Sequence, residues 1–242
     1  MLTVFKPFGM TPKELVDEYV KIRGAKKGAF SGRLDPMACG VMKIYFDDDC
    51  KLANVDDKLN KTYRFVMIFG IGSTSCDLLG FPSISTDEGK AVTKEMIESC
   101  INTGEMIQKQ PVHSSFIVKN KDGVRNPLWW WALHNRLDEV NVPSFKRTLY
   151  SLEVKSISQK TMNNISATAI ERINMIDKKH TFRQDEIIDA WRKTSDINKE
   201  FYTAELVASV SSGFYIRQLV SDIGDALHMK TTTFEIERLC YN

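Results

Sequence analysis

The run TYRFVMIFGIG, from Thr62 to Gly72, restricts the fold more than any other stretch of the 242 residues. Tyr63, Phe65, Met67 and Phe69 alternate along it, so in an extended chain they share one face of a long strand. A lone strand is not stable in water, so this one needs neighbours in a sheet. Five more runs read as strands. They are LTVFKP (Leu2–Pro7), which stops at its proline, VMKIYF (Val41–Phe46), LYSLEVKSIS (Leu149–Ser158), TAELVASVSS (Thr203–Ser212) and TTFEIERL (Thr232–Leu239).

Helices are interleaved with these strands. TPKELVDEYVKIRG (Thr11–Gly24) carries a capping box in Thr11 and Glu14, a proline at its first helical position and a glycine stop. Its Leu15, Val16, Tyr19 and Val20 fall on one face. TKEMIESCINTG (Thr93–Gly104) is a helix with a glycine stop, and LWWWALHNRLDEV (Leu128–Val140) is a helix with three adjacent tryptophans. GFYIRQLVSDIGDALH opens a helix striped with Ile216, Leu219, Val220, Ile223 and Leu227. The region 159–199 is polar and poorly periodic, with RQDEIIDAWRK (Arg183–Lys193) as a helix inside it, and reads as an insertion on a domain. Strands and helices mix without the regular alternation of a parallel sheet, which predicts an α+β fold.

A hydrophobic share of 43% over this length supports one large domain or two small ones. No apolar run reaches the roughly 18 residues of a membrane span, and MLTVFKPFGM does not have the form of a secretory signal. The five cysteines form no Cys-x-x-Cys pair, and the four histidines have no metal-ligand spacing. An intracellular, reducing compartment and no metal are expected. The net charge of +2 neither demands nor excludes a nucleic-acid partner, because charge distribution matters more than the sum. GIGSTS (Gly70–Ser75) lacks both the Gly-Lys-Ser/Thr end of a phosphate loop and the third glycine of a dinucleotide fingerprint, so it reads as a turn. Trp129, Trp130 and Trp131 point in three directions on a helix, so at least one belongs to the core.

Four segments stand out together: KPFGMTP (Lys6–Pro12), SGRLDPMACGV (Ser31–Val41), KTYRF (Lys61–Phe65) with STSCDLLG behind it, and SSGFYIRQLVSDIG (Ser211–Gly224). In order and spacing, from near residue 5 to near 239, the chain resembles the TruB-type pseudouridine synthases, which isomerise uridine within RNA. GFYIRQLVSDIG is most similar to eukaryotic-type members that modify the T-loop uridine of tRNA. The resemblance implies a pseudouridine synthase catalytic fold, with a mixed, mainly antiparallel sheet flanked by helices. It implies one catalytic domain over 1–242, an RNA-binding insertion at 105–147, with QPVHSSF matching the segment after which the family places it, and no C-terminal PUA domain; the additional polar insertion at 159–199 is read from the residues themselves. Asp35 matches the family's essential aspartate, Tyr63 the tyrosine that stacks on the target base, and Arg217 the arginine that pairs with the carboxylate. Asp77 matches an aspartate that supports the arginine, Tyr215 a tyrosine beside it, and Lys6 and Pro7 a motif packed under the active-site loop. Where the family usually carries a histidine in Gly-His-Thr/Ser-Gly, this chain has Phe30, whose ring can wedge or stack but cannot hydrogen-bond.

These residue types suit the chemistry. Uridine isomerisation detaches the base at N1, turns it and rejoins it at C5, without redox change, so no cofactor is required. It needs an ionised carboxylate to attack the base or the sugar, or to take a proton, and an arginine nearby favours that ionised form. It also needs a ring to hold the loosened base, with stacking contributing about 1–3 kcal/mol, and the target must leave its stack. Lys26, Lys27 and Arg33 around the Asp35 loop, and Lys109, Lys119, Lys121 and Arg125 in the central insertion, are candidate phosphate contacts. The expectation is a monomeric, intracellular enzyme acting on tRNA. The alternative is an RNA-binding or tRNA-folding protein of the same fold with weak or no catalysis, which Phe30 favours and Asp35, Tyr63 and Arg217 oppose.

Overall fold

A computed structural model describes residues 1–85 and 91–242 of the chain. Its strands are β1 (Leu2–Lys6), β2 (Gly28–Ser31), β3 (Ala38–Phe46), β4 (Lys61–Phe69), β5 (Ile71–Ser73), β6 (Pro82–Ile84), β7 (Gly104–Lys109), β8 (Ile117–Lys119), β9 (Arg125–Pro127), β10 (Ser144–Thr161), β11 (Glu200–Val210) and β12 (Thr231–Tyr241). Its helices are α1 (Pro12–Arg23), α2 (Ala53–Asp56), α3 (Lys94–Cys100), α4 (Leu128–Leu133), α5 (Met162–Asn174), α6 (Gln184–Arg192) and α7 (Ile216–Leu227). One sheet organises the molecule, in the order β1-β3-β12-β4-β11-β10-β7, with β2 paired to β3. The pairings are antiparallel except β12 with β3, so the sheet is mixed and mainly antiparallel, as the α+β reading requires.

The run that opened the sequence reading is the core of β4, and it is buried on both faces. Tyr63, Phe65, Met67 and Phe69 face a core completed by Leu15 and Val16 of α1, Ile97 of α3 and the Ile216, Leu219, Val220, Ile223 stripe of α7. Val66 and Ile68 face a second core built by Met162, Ile165, Ala169 and Ile173 of α5 and Ile187, Ile188 and Trp191 of α6. A register shift between Thr233 and Glu235 makes Phe234 the extra residue of a bulge, and it joins the second core while Ile236 stays in the first.

Helix α1 starts where its capping box predicts. The Thr11 side chain accepts from Glu14 N at 3.3 Å, and the Glu14 carboxylate accepts from Thr11 N at 2.8 Å. Two differences from the sequence reading stand out. Residues 159–199, polar and poorly periodic in sequence, are more regular than that pattern suggests: β10 runs on to Thr161, α5 and α6 follow, and the two helices pack on Val66 and Ile68 of β4, Phe201 of β11 and Phe234 of β12. The α5 stripe is interrupted by Ser166 and thinned by Ala169, which hides its period. The helix at Leu128–Val140 breaks after Leu133, and only a short 3₁₀ turn, Leu137–Glu139, follows. Of the three tryptophans, Trp131 is fully buried and Trp129 is exposed.

Candidate active site

Asp35 sits in the loop between β2 and β3, whose shape is fixed from three sides. Gly32 takes a left-handed conformation, φ 66°, and its N–H donates to Asp57 Oδ1 at 2.8 Å. A Cβ at Gly32 would stand 2.8 Å from Arg238 Nη1 and 3.0 Å from Lys61 Cε, so only glycine fits. The N–H of Gly9 donates to the carbonyl of Pro36 at 2.8 Å, and Ala38 N–H closes a turn onto the carbonyl of Asp35 at 3.0 Å. Lys6 works one layer below: its fully buried ammonium donates to the carbonyls of Pro7 (2.8 Å) and Met10 (2.6 Å), which shapes the turn that carries Gly9. Burial pulls this ammonium down to about 8, against the opposing charge of Asp35. Pro7 is itself exposed and takes part through its carbonyl, so the packing expected of the Lys6–Pro7 pair belongs to Lys6.

Arg217 is the second residue of α7, at the end of the helix where the dipole does not favour a cation. Its partners supply the reason for its position. Nε donates to Asp35 Oδ2 at 2.8 Å, Nη1 to the carbonyl of Ser75 at 2.7 Å and Nη2 to the carbonyl of His113 at 3.2 Å. Asp77 Oδ2 lies 3.7 Å from Nε. The Arg217 side chain is 2% exposed and that of Asp35 is 28% exposed, so the pair has a buried cation and a carboxylate that reaches open space. Asp77 is held by Ser75 Oγ and by the N–H of Leu79 on its Oδ1. Burial pushes the Asp77 carboxyl up, and the Arg217 charge resists that rise. The same two carboxylates push the Arg217 guanidinium up, further into its charged form.

The open space is a cavity of about 180 Å³, lined among others by Asp35, Lys61, Tyr63, Tyr215, Arg217 and Arg238. Tyr63 comes from β4 and Tyr215 from the turn before α7. The Gln108 amide grips the Tyr215 backbone from both sides, donating to its carbonyl at 3.0 Å and accepting from its N–H at 2.8 Å. Burial pushes the Tyr215 hydroxyl up, so it stays protonated at neutral pH. On the far side of the Asp35–Arg217 pair lies a second cleft of about 390 Å³, walled by Asp77, Leu79, Phe81, His113 and Trp129.

Asp35, Tyr63, Asp77, Tyr215, Arg217 and Lys6 therefore converge, although they come from five parts of the chain. Phe30 lies on β2 at the edge of the first core, with the Arg33 guanidinium 5.4 Å from its ring centre. Arg33 is exposed and borders both cavities. Lys26 and Lys27 are exposed at the turn before β2, where their backbone N–H groups bind Asp47. Lys109, Lys119, Lys121 and Arg125 are exposed on β7 and the β8–β9 hairpin, outside the lining of either cavity. Sequence reasoning missed Gln108 and Arg238, and it had Lys61 only as the first residue of KTYRF, without a role. Lys61 is buried, donates to the carbonyls of Asp57 (2.7 Å) and Leu59 (2.8 Å), and is pulled down to about 8 by burial. Arg238 had one sequence signal: it stands two residues after Ile236, in strand period with a core residue. Among the described residues no group of three or more His, Cys, Asp and Glu side chains could hold a metal ion, and no helix is long and apolar enough to cross a membrane.

A family model described as TruB family pseudouridylate synthase (N terminal domain) matches residues 20–173. The tRNA pseudouridine synthase B of Caldanaerobacter subterraneus subsp. tengcongensis is 32% identical over 156 residues, which is 64% of this chain and 52% of that protein. The protein of the same name from Aquifex aeolicus is 26% identical over 240 residues, covering 98% of this chain and 67% of that protein. The chain thus spans about half to two thirds of the length of these relatives. Among solved structures, a chain from the crystal structure of a Cbf5-Nop10-Gar1 complex shares the fold, with a TM-score of 0.59 at 18% identity over 99% of this chain and 48% of that one.

Proposed function

This chain belongs to the TruB family of pseudouridylate synthases, and we propose from that premise that it converts uridine to pseudouridine in RNA, with the T-loop uridine of tRNA as its target. The observation that carries the proposal is the Asp35–Arg217 pair, a part-exposed carboxylate fixed at 2.8 Å by a buried guanidinium, opening on a base-sized cavity beside Tyr63. Arg217 holds Asp35 through a charge-assisted hydrogen bond and aims its carboxylate. Tyr63 stacks on the base, and Tyr215 closes the wall. Asp77 holds Arg217 in place by charge, and Lys6 supports the loop from below.

The basic side chains divide into two sets. Arg33, Lys26 and Lys27 stand near the catalytic loop. Lys109, Lys119, Lys121 and Arg125 lie along the 105–147 segment. Both sets are read as phosphate contacts, which position RNA without reading its sequence. Action as a monomer is part of the proposal. The relatives' names favour this catalytic reading over a fold that only binds RNA.

The test is incubation with a uridine-containing tRNA transcript, followed by detection of pseudouridine. Wild type is expected to form the product and Asp35→Asn to form none above background. Absence of product from wild type on every RNA tried refutes the function, and full activity in Asp35→Asn refutes the role of the carboxylate.

A further inference from the structure

Arg217 is only as well placed as the start of α7, and that start has no local cap. Tyr215, at the N-cap position, makes no side-chain cap bond, unlike Thr11 of α1. Phe214 and Ile216, on either side of it, bury their side chains in the first core. Hydrophobic contact is non-directional, so it sets the depth of this turn and not its rotation. Directional contacts come from Gln108 on β7. Gln108 is 3% exposed, so its amide needs partners inside the protein. Nε2 donates to the carbonyl of Tyr215 at 3.0 Å, and Oε1 accepts from the N–H of Tyr215 at 2.8 Å. The same carbonyl accepts the first bond of the helix, from the N–H of Leu219 at 3.1 Å.

Other residues at the two ends of the central insertion hold the same turn. Where the chain leaves β7, the Gln110 side chain hydrogen-bonds the Tyr215 hydroxyl, and the carbonyl of His113 accepts from Arg217 Nη2 at 3.2 Å. Where the chain returns along β10, Arg147 Nε donates to the carbonyl of Gly213 at 2.9 Å. Next to it the N–H of Thr148 donates to Ser211 Oγ, and the N–H of Ser211 donates to the carbonyl of Thr148, both at 2.9 Å. Residues 211–217 are thus clasped by the two strands that flank the insertion. Within this clasp the Gln108 amide holds both backbone groups of the residue two positions before Arg217. That is the contact that fixes the rotation of the first turn of α7.

We propose that Gln108 is a positioning residue for the reaction: through the backbone of Tyr215 it sets the first turn of α7 so that Arg217 meets the Asp35 carboxylate. The inference rests on the pseudouridine synthase reading given above. Gln108 lies outside the cavity lining, so it acts through Arg217 and not on the base. Its amide has one close mimic. A neutral carboxylic acid accepts from the Tyr215 N–H with its C=O and donates to the Tyr215 carbonyl with its O–H. An ionised carboxylate has only acceptors and sets an oxygen against that carbonyl. Gln108→Glu therefore carries a contact that protonation switches on.

The experiment measures kcat, KM and RNA affinity on a tRNA transcript for wild type, Gln108→Met and Gln108→Glu. Gln108→Met is expected to lose about 10–10²-fold in kcat, the scale of a small misplacement of a catalytic group, while RNA affinity stays within about threefold. For Gln108→Glu the readout is the ratio of its kcat to that of wild type at the same pH. That ratio is expected to rise by about tenfold as pH falls from about 8 to about 5, because burial favours the neutral carboxyl. Adding Gln108→Met to Arg217→Lys is expected to cost less than a further threefold or so, because both changes damage one contact. Three results overturn the proposal: a kcat of Gln108→Met within about twofold of wild type, or a loss confined to KM; a Gln108→Glu ratio that stays low at every pH; and losses that multiply in full in the double variant. Gln108→Glu decides the question alone where Gln108→Met does not fold. A wild type that forms no pseudouridine overturns the parent reading and this one with it, whereas any of the three results with an active wild type overturns only this one.

Discussion

Replacing Arg217 by lysine separates charge from geometry at the candidate site. The guanidinium reaches Asp35 at 2.8 Å, the carbonyl of Ser75 at 2.7 Å and the carbonyl of His113 at 3.2 Å, with Asp77 at 3.7 Å. Lysine keeps the positive charge between the two carboxylates, so the penalty of an unpaired buried ion is avoided. Its single ammonium cannot reach acceptors on three sides as a planar fork does. Two buried carbonyls then compete for one donor group. An unsatisfied buried acceptor costs about 1–3 kcal/mol, so a loss of about 2–4 kcal/mol is expected, out of a typical total of about 5–15 kcal/mol. Urea unfolding measures it as a lower midpoint at unchanged slope. Pseudouridine formation is expected to fall about 10²-fold, the scale on which small misplacements of a catalytic group act. RNA affinity is expected to hold, because Arg217 is 2% exposed and offers RNA no surface. A variant that loses the stated stability yet keeps a third or more of its turnover refutes the claim that Arg217 aims Asp35. Arg217→Met is the companion case. It leaves Asp77 buried without its cation, at about 3–5 kcal/mol. The Asp77 carboxyl, already raised by burial, rises further. A group raised in the folded state contributes stability that is present at low pH and lost as pH rises through its folded value, so the penalty of Arg217→Met is expected to shrink on acidification.

The remaining predictions follow from single features. Lys6 and Lys61 are both pulled down by burial from 10.5 to about 8, so folding favours their neutral forms and stability is expected to rise as pH increases from about 8 to 10.5; in Lys6→Met part of that rise, measured as the urea midpoint against pH, disappears. Trp191 is fully buried in the second core, and its Nε1 donates to the carbonyl of Leu78 at 3.0 Å. Trp191→Ala is expected to cost about 3–5 kcal/mol, and a loss under 1 kcal/mol in chemical denaturation shows that the α5–α6 segment is dispensable to the fold. Each phosphate contact removed by Lys119→Ala or Arg125→Ala is expected to lower the slope of log affinity against log salt by about one, read from RNA binding at several salt concentrations, and an unchanged slope removes that residue from the interface.

The residues that made the site legible are those whose type is unusual for their place. Asp35 is enclosed by Gly32, Pro36 and Ala38, and Arg217 stands at the wrong end of a helix dipole, so each calls for a partner. The structure supplies each as the other's partner, across 182 residues of sequence. Helix α1 was legible because all its signals are local. The residues that escaped have partners that are remote and signals that are ordinary. Gln108 grips the backbone of Tyr215 from 107 positions away, and a glutamine in a polar stretch announces nothing. Lys61 and Arg238 are cations in strands, and sequence does not show that both are buried in central strands of the sheet, beneath the cavity. Helix α5 escaped for a different reason: Ser166 is fully buried and bonds to the carbonyl of Trp191, so a polar residue occupies a core position and breaks the apolar period.

Strand register, more than loop shape, sets the cavity. Side chains alternate with a period of two, so a slip of one residue between β4 and β12 would send Tyr63 and Arg238 to opposite faces of the sheet. The antiparallel β4–β12 pairing alone does not prevent this, because bulges interrupt it at Thr233/Glu235 and Arg238/Cys240. The short parallel pairing of β12 with β3 does. It spans only Ile236, Glu237 and Arg238 against Ala38, Cys39 and Gly40. Gly40 takes φ 119°, and a Cβ there would lie 2.3 Å from the carbonyl oxygen and 2.5 Å from the nitrogen of Arg238. The backbones meet at that closeness in one register only. The second glycine of SGRLDPMACGV, Gly40, thus fixes β12 against β3, and through Arg238 Nη1 and Nε it fixes Gly32 and Val41 at the two ends of the Asp35 segment. The spacing of that motif is the length of chain needed to leave Arg238 at Gly32, present Asp35 to Arg217 and return to Arg238 at Gly40.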